Sequence, residues 1–386
     1  MKIFMIMRSQ AGVPGGVGVP GGQIGMVQLA RFLARGGSEV RLFVGGPRMK
    51  YLDGLDGVEP IHFRWPEWLD RLLRRGPRPI RDMGRRWRRR RWLSTVRRLL
   101  RAHPVDVIHV QGLEDAETLI SAIEGPIVVT HWGRVRRWSS DTDDGQADSA
   151  LARRLRRLRR NTEIVAIGQA QEAELARVGL PAVGVIPPGI DLDHFTPGDK
   201  AAARDHLGLA GGGGIVLYVG RLTPDKNVES LIRAFELLRD HPSRPRLLIV
   251  GTGSLRESLR SLSRDLGLDD MVRFIDFVPH HDLPQYFRAC DVTVVPSDDL
   301  ETFCMVGLEA IACRAPLLVT EHVPEITTRF PAVPWVTARD IPAMSREIAR
   351  ALDGDVAPAD AAGLAEFGWD AIALKYVSLY KSLGSR

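Results

Sequence analysis

The sequence predicts an α/β protein made of two doubly wound, parallel-sheet domains, and three observations predict it. The chain has 386 residues, too many for one ordinary core and suited to two domains of roughly 190 residues each. Short apolar runs alternate with amphipathic stretches in both halves, the pattern of strands buried between helical layers. A segment rich in proline and glycine, Ile186–Gly198, separates the halves and bars both helix and strand.

In the first half the expected strands are Lys2–Met7, Glu39–Val44, Val105–Val110, Ile127–His131 and Glu163–Ile167, with a helix over Gly22–Arg35. An arginine-rich insert, Arg64–Arg101, interrupts this rhythm; it contains Trp65, Trp68, Trp87 and Trp92 and reads as helical. The second half repeats the alternation more regularly, with strands Ile215–Val219, Arg246–Val250, Val272–Phe277, Val292–Val295 and Leu317–Thr320. The glycine run Gly211–Gly214 reads as a flexible loop. The expected domains are residues 1–187, a linker 188–199, residues 200–365, and a C-terminal helix, 366–386, that packs back on the first domain.

Composition narrows the class. Hydrophobic residues make up 44% and charged residues 26%, near the globular average, which argues against wholesale disorder. Nowhere do 18 apolar residues run together; the best candidate, Cys304–Thr320, is broken by Glu309 and Arg314. Met1–Met7 is too short for a secretory core and reads as a buried strand. Three cysteines, Cys290, Cys304 and Cys313, are an odd number without metal-ligand spacing, so the expectation is a cytoplasmic protein without disulfides or structural zinc. The net charge of +6 hides an asymmetry: Arg64–Arg101 carries fifteen arginines against Glu67, Asp70 and Asp82, so this insert is at +12 and the remainder at −6. Such a patch suits a phosphate-bearing partner or an anionic membrane surface, and equally an ordinary solvated helical face.

In open α/β sheets ligands bind beyond the carboxyl ends of strands, so the residues after each strand carry the functional signal. After Val219 comes Gly220-Arg-Leu-Thr-Pro-Asp-Lys-Asn227, with two cations five residues apart at the entrance to a helix. A diphosphate needs such cations, although an exposed basic loop has the same spacing. After Val250, Gly251-Thr-Gly253 permits close backbone approach to a ligand, a weak signal alone. After Val295, Glu301 and Glu309 stand eight apart across the start of an apolar helix. Glu301 has the position of a helix cap, whereas Glu309, beside Leu308, Ala310 and Ile311, requires a partner to be tolerated there. Hydroxyls of a sugar or ribose would serve as such partners.

These residues resemble family 4 of the retaining glycosyltransferases, the GT-B-fold group. The resemblance rests on Pro188-Gly-Ile-Asp191 with Phe195 and Pro197, on Gly220–Asn227, and on the Glu301 and Glu309 pair, supported by Gly251-Thr-Gly253. In the first half it rests on Pro20-Gly21-Gly22, Asp106-Val-Ile-His109 and Val128-Val-Thr-His131-Trp-Gly133. It implies two facing Rossmann-like domains and a nucleotide-sugar donor, UDP-linked in expectation. By the same resemblance, Arg221 and Lys226 bind the donor diphosphate, Glu301 the sugar hydroxyls and Glu309 the ribose. Gly21, Gly22, Gly220, Gly251, Gly253, Phe303 and the amides around Cys304, Met305 and Val306 complete the donor contacts. His131, which read alone is as much a packed core histidine as a site residue, would contact the transferred sugar. His131, Arg221, Lys226 and Glu301 are thus the expected catalytic set.

The sequence departs from the family pattern in several places. Asp276, Cys304, Arg314 and the Glu321-His322 pair stand where glycine is usual; Gln111 replaces a second histidine, and Gly168 stands where serine is common. The stretch from Gly21-Gly22 to Leu29-Ala30 is one residue shorter than usual. The expected reaction is a retaining, metal-independent hexosyl transfer without a cofactor, in which cationic side chains stabilise the leaving diphosphate. For the acceptor, Asp141, Asp143, Asp144 and Asp148 suggest a small aminated molecule, such as an amino sugar or aminocyclitol of antibiotic assembly, or simply a solvated loop. The arginine insert suggests instead a lipid-linked or phosphorylated acceptor, with peripheral association at the inner face of a membrane. Nucleic acid is not an expected partner, because no recognised nucleic-acid module accompanies the arginines. Other classes compatible with the architecture are a sugar-nucleotide epimerase and a non-catalytic binding protein.

Overall fold

A computed structural model describes residues 1–8, 21–45, 55–63, 78–120, 123–133, 162–209 and 213–384, and these form two compact units. The first holds a seven-stranded sheet: β1 (Lys2–Arg8), β2 (Glu39–Gly45), β3 (Val58–Phe63), β4 (Val107–Gln111), β5 (Ile127–Thr130), β6 (Thr162–Ala166) and β7 (Gly184–Val185). Its order is β3-β2-β1-β4-β5-β6-β7, with every pairing parallel. Helices α1 (Gly21–Arg35), α2 (Arg78–Ala102), α3 (Leu113–Ile120) and α4 (Gln169–Arg177) belong to the same unit. Alternate residues of a strand face opposite sides. Accordingly Ile3, Met5 and Met7 join one core layer with Met26 and Leu29 of α1, while Phe4 and Ile6 join the other with Phe43 and Trp92.

The C-terminal helix, Trp369–Gly384, is part of this first unit. Trp369, Ile372, Ala373, Tyr376 and Tyr380 enter its core, and the Trp369 ring stacks on Phe32 at 6.4 Å. A buried polar chain fixes the register. His109 Nδ1 is 2.6 Å from the Tyr380 hydroxyl and its Nε2 is 2.8 Å from Thr130 Oγ1, which in turn meets the Tyr376 hydroxyl at 2.9 Å. Burial pushes the His109 pKa down to about 3. The ring therefore stays neutral, with one nitrogen donating and the other accepting.

The second unit holds β8 (Ile215–Val219), β9 (Arg246–Val250), β10 (Val272–Ile275), β11 (Val292–Val295), β12 (Leu317–Thr320) and β13 (Trp335–Val336). The order is β10-β9-β8-β11-β12-β13, again wholly parallel. Its helices are α5 (Lys200–His206), α6 (Val228–Glu236), α7 (Arg256–Asp265), α8 (Leu283–Ala289), α9 (Met305–Ala312), α10 (Pro324–Arg329) and α11 (Ile341–Leu352). Ile215 and Leu217 face one layer; Val216 and Tyr218 face the other, against Val228, Leu231, Ile232 and Phe235 of α6. Strand order reverses between β1 and β4 in one unit and between β8 and β11 in the other. Those are the points where loops diverge and leave room for a ligand beyond the strand ends.

Several boundaries differ from expectation. Ile190–Gly368 forms the described part of the second unit, so most of the segment expected as a linker is built into it. Ile190 and Phe195 are buried in its core, and the Ile190 amide donates to the Phe367 carbonyl at 2.7 Å; apolar side chains here outweigh the prolines around them. β4 starts at Val107 instead of Val105. Asp106 is held outside the ladder, its carboxylate accepting the Lys2 amide at 2.7 Å and its own amide donating to the Lys2 carbonyl at 2.9 Å. β10 ends at Ile275, where Asp276 turns aside to pair with Arg256. Edge strand β3, interrupted by Pro60 and with only Val58 fully buried, and the two-residue strands β7 and β13 lack the apolar runs that marked the others. Among the described residues no helix is long and apolar enough to cross a membrane.

Candidate active site

The second unit's switch point brings together two loops. The loop after β8 begins with Gly220 and Arg221, whose carbonyl accepts the buried Tyr218 hydroxyl at 2.7 Å. It then winds through a single 3₁₀ turn, Pro224–Lys226, to Asn227, which adopts a left-handed conformation (φ 48°) at the entrance to α6. Asparagine tolerates that conformation because its short side chain bonds locally; here Asn227 accepts from the Ser230 hydroxyl and donates to the Ala338 carbonyl. The loop after β11 is tied to it through the Asp298 amide, which donates to the Asp225 carbonyl at 3.1 Å.

This junction places Lys226 Nζ against Glu301 Oε1, an oxygen that also accepts the Ser297 hydroxyl. The two charged side chains are 19% and 13% exposed, so the pair is largely withdrawn from water. Arg221 lies more open, 3.0 Å from Asp225. Burial raises the Asp225 pKa, but Thr223, Arg221 and Lys226 outweigh it and hold the carboxyl below its ordinary value. Arg221 and Lys226 thus both act on Asp225, and Lys226 is paired with Glu301 on the adjoining loop.

Glu309 is buried on α9. Its Oε1 is 2.8 Å from His280 Nε2, on a turn whose imidazole also packs against Phe195 at 5.1 Å. His280 supplies the partner that the apolar neighbours of Glu309 demanded. Burial disfavours charge on His280, but the Glu309 carboxylate, by proximity and by hydrogen bond, and Asp191 outweigh it and raise the pKa.

The glycines at 251 and 253 also have a packing role. A Cβ on Gly251, whose φ is 147°, would overlap the Gly220 carbonyl, and one on Gly253 would overlap the Leu222 carbonyl. The loops after β8 and β9 therefore pack backbone to backbone, joined by the Leu222 amide on Thr252 O at 2.9 Å and the Leu255 amide on Leu222 O at 2.9 Å. Packing accounts for Gly251 and Gly253 without a ligand. Gly21 and Gly22 open α1. Phe303 packs on Phe367 at 5.9 Å, and Met305 and Val306 form the half-buried first turn of α9.

Positions that depart from glycine are also explained. Arg314 keeps the left-handed conformation of a helix-ending glycine (φ 59°), with the Ala315 amide returning to the Ala310 carbonyl at 2.9 Å. Cys304 is buried, and burial and then Glu301 push its thiol up to about 12, so it remains neutral. Glu321 accepts the Ala338 amide at 2.8 Å. His322, whose carbonyl accepts the Glu301 amide at 2.8 Å, has its Nε2 3.6 Å from Glu321 and 4.0 Å from Asp298.

In the first unit His131 follows β5 and is 7% exposed. Its carbonyl accepts the side-chain amide of buried Gln171 at 2.8 Å, and the same nitrogen reaches Gly133 O at 2.6 Å. Gln171 Oε1 accepts the Ile167 amide at 2.9 Å, which clamps the loop from beneath. On its other side Trp132 fills the space that a side chain on Gly25 would need. Gln171 was not anticipated; a glutamine at the third helical position, reaching back to the chain before the cap, is its sequence signal. Asp141, Asp143, Asp144 and Asp148 lie outside the described residues.

The family models divide the chain between them. "Glycosyltransferase Family 4" matches residues 19–194 and "Glycosyl transferases group 1" matches residues 199–360. The chain belongs to this glycosyltransferase family. Among its relatives, the D-inositol 3-phosphate glycosyltransferase of Frankia alni is 42% identical over 145 residues, 35% of either chain. That of Streptosporangium roseum is 36% identical over 227 residues, 51% of this chain and 49% of the relative. The matched stretch thus spans only 35% of the Frankia alni relative's length. Among solved structures, Anabaena HepE in complex with UDP-glucose superposes with a TM-score of 0.74 at 20% identity, covering 99% of this chain and 100% of that one. Sucrose-phosphate synthase from Thermosynechococcus elongatus superposes with a TM-score of 0.71 at 23% identity, covering 100% and 99%. These likenesses establish the two-sheet GT-B fold.

Two measurements test this geometry. Gly253→Ala should lower unfolding stability by about 1 to 3 kcal/mol, the usual cost of overpacking; an unchanged thermal midpoint would show that the loops do not pack as described. A histidine whose folded pKa is raised contributes stability that is complete below its unfolded pKa and is lost as pH rises through the folded value. The gap in thermal midpoint between wild type and Glu309→Gln should therefore be widest below about pH 6.5 and narrow on alkaline titration. A gap constant from acid to alkaline pH would contradict the His280–Glu309 pairing.

Proposed function

We propose that the protein transfers a hexosyl or amino-hexosyl group from a UDP-linked sugar to a hydroxyl of a small polar acceptor, with retention of anomeric configuration. The observation that carries this is the Lys226–Glu301 pair beside Arg221 at the β8/β11 switch point. A diphosphate entering there meets two cations, one of them already held in place by a carboxylate. That arrangement stabilises the leaving nucleoside diphosphate without reorganisation at the moment of reaction.

Once the anion binds Lys226, Glu301 is free to accept from sugar hydroxyls, and the amides at the start of α9, which lack intrahelical partners, face negative charge favourably. Glu309 accepts from a ribose hydroxyl in this scheme, sharing its oxygens with His280. By the family resemblance His131 has a role toward the transferred sugar, and Gln171 holds its loop in place. The diphosphate oxygen takes the acceptor's proton as the hydroxyl attacks the face it leaves. Neither a metal ion nor a cofactor has a role, because Arg221 and Lys226 supply the positive charge. The named UDP-glucose complex of HepE supports a UDP-sugar donor, and the phosphates in the names of other relatives support a phosphorylated acceptor.

For the acceptor, the acids Asp141, Asp143, Asp144 and Asp148 favour an aminocyclitol or amino sugar, as in antibiotic assembly, through their charge alone. A second proposal, an acceptor that is phosphorylated or carried on a lipid, is favoured by α2, whose 25 residues include eleven arginines.

The test is release of UDP from a panel of UDP-sugars and polar acceptors in excess chelator, followed by analysis of the product's anomeric configuration. Wild type should turn over within about twofold of its rate without chelator. Lys226→Ala and Arg221→Ala should each lose roughly 2 to 4 kcal/mol of transition-state stabilisation, about 30- to 1,000-fold in kcat/KM. Full activity in both variants, or activity that returns only with added divalent ion, would refute the donor-site assignment. Conversion of donor with no acceptor would instead identify an epimerase.

A further inference from the structure

Helix α2 presents two unlike faces. Trp92 and Val96 are buried in the first unit's core, where the Trp92 ring meets Phe43 at 6.3 Å. On the opposite side, residues 83, 87, 90, 94, 97 and 101 follow one another at intervals of four and three and so form a single stripe. Met83 is 67% exposed and Trp87 42% exposed; Arg90, Arg97, Arg98 and Arg101 on and beside the stripe are exposed as well. Arg91 reaches back over the Trp87 ring, 5.4 Å from its centre.

The charge of this helix is not balanced along its own sequence. Eleven arginines face a single acid, Asp82, in 25 residues. Like charges one turn apart destabilise a helix, so the helix gains from an anionic surface laid along it. Over 25 residues it offers about 37 Å of length. The exposed tryptophan and methionine identify the surface, because they gain by entering an apolar layer beneath a layer of negative charge.

We propose that the exposed face of α2 docks the protein on an anionic lipid bilayer, with its arginines on lipid phosphates and Trp87 and Met83 in the headgroup region. This is peripheral docking by a helix that keeps its other face in the protein core. It does not depend on the donor site, and it fits either acceptor class.

The test is sedimentation of the full-length protein with vesicles of phosphatidylcholine alone or with about 30% phosphatidylglycerol. Binding should be at least about tenfold stronger to the anionic vesicles and should fall as salt screens the attraction. Reversal of Arg90, Arg91, Arg97 and Arg98 to glutamate should abolish it. These side chains are exposed, so the thermal midpoint reports whether the fold survives. Trp87→Ala should weaken anionic-vesicle binding several-fold with the arginines intact. Equal or absent binding to both vesicle types would overturn the proposal, as would anionic-vesicle binding that survives the four reversals or the loss of Trp87. So would tight retention on a single-stranded polynucleotide without matching vesicle binding, which would make the face a nucleic-acid surface. No donor is needed in this assay, so its outcome is separate from that of the donor-site experiment.

Discussion

The ion pair between Lys226 and Glu301 is the contact around which the second unit's site is organised. It exists because two neighbouring strands, β8 and β11, are connected in opposite directions around the sheet, so that their following loops meet at the carboxyl edge. The backbone bond from Asp298 to Asp225 closes the gap between those loops, and the 3₁₀ turn at Pro224–Lys226 directs the ammonium inward. Ion pairs withdrawn from water add little net stability, since desolvation offsets attraction. A pair of this kind is weak evidence for stability, and the use proposed for it is a cation held ready for an incoming diphosphate.

Rigid loops are the second requirement. Gly220, Leu222, Gly251 and Gly253 bring two stretches of backbone too close for side chains, which fixes the path of the Arg221 loop before any ligand arrives. The first unit uses side chains for the same end: Gln171 and Trp132 hold the His131 loop from two sides. His109, buried and neutral, locks the C-terminal helix to strands β4 and β5 through Tyr380, Thr130 and Tyr376.

How much of this was legible in the sequence depended on whether the signal was local. Fully buried parallel strands read as continuous apolar runs, and β8, β9, β11 and β12 appear at the expected residues. The edge strands β3 and β13 lacked that signature, being only half covered. Glu309 was legible as a buried carboxylate in need of a partner, but its partner, His280, is 29 residues away and no spacing rule connects them. The Gly-x-Gly at 251–253 was legible as close backbone approach, and the protein's own loop after β8 is one thing that approaches it. Trp87 and Trp92 look alike in sequence; only the helix's placement against Phe43 makes one a core residue and leaves the other exposed. Arg314 stands in a conformation that favours glycine, which its residue type does not announce in the sequence.

The central claim is that Lys226, held by Glu301, is the cation for a nucleoside diphosphate, and equilibrium binding of UDP against uridine tests it most directly. Calorimetric titration in chelator should show UDP bound by the wild-type protein and weakened at least about tenfold by Lys226→Ala, with uridine binding unchanged. UDP affinity that is the same in both proteins would contradict the account.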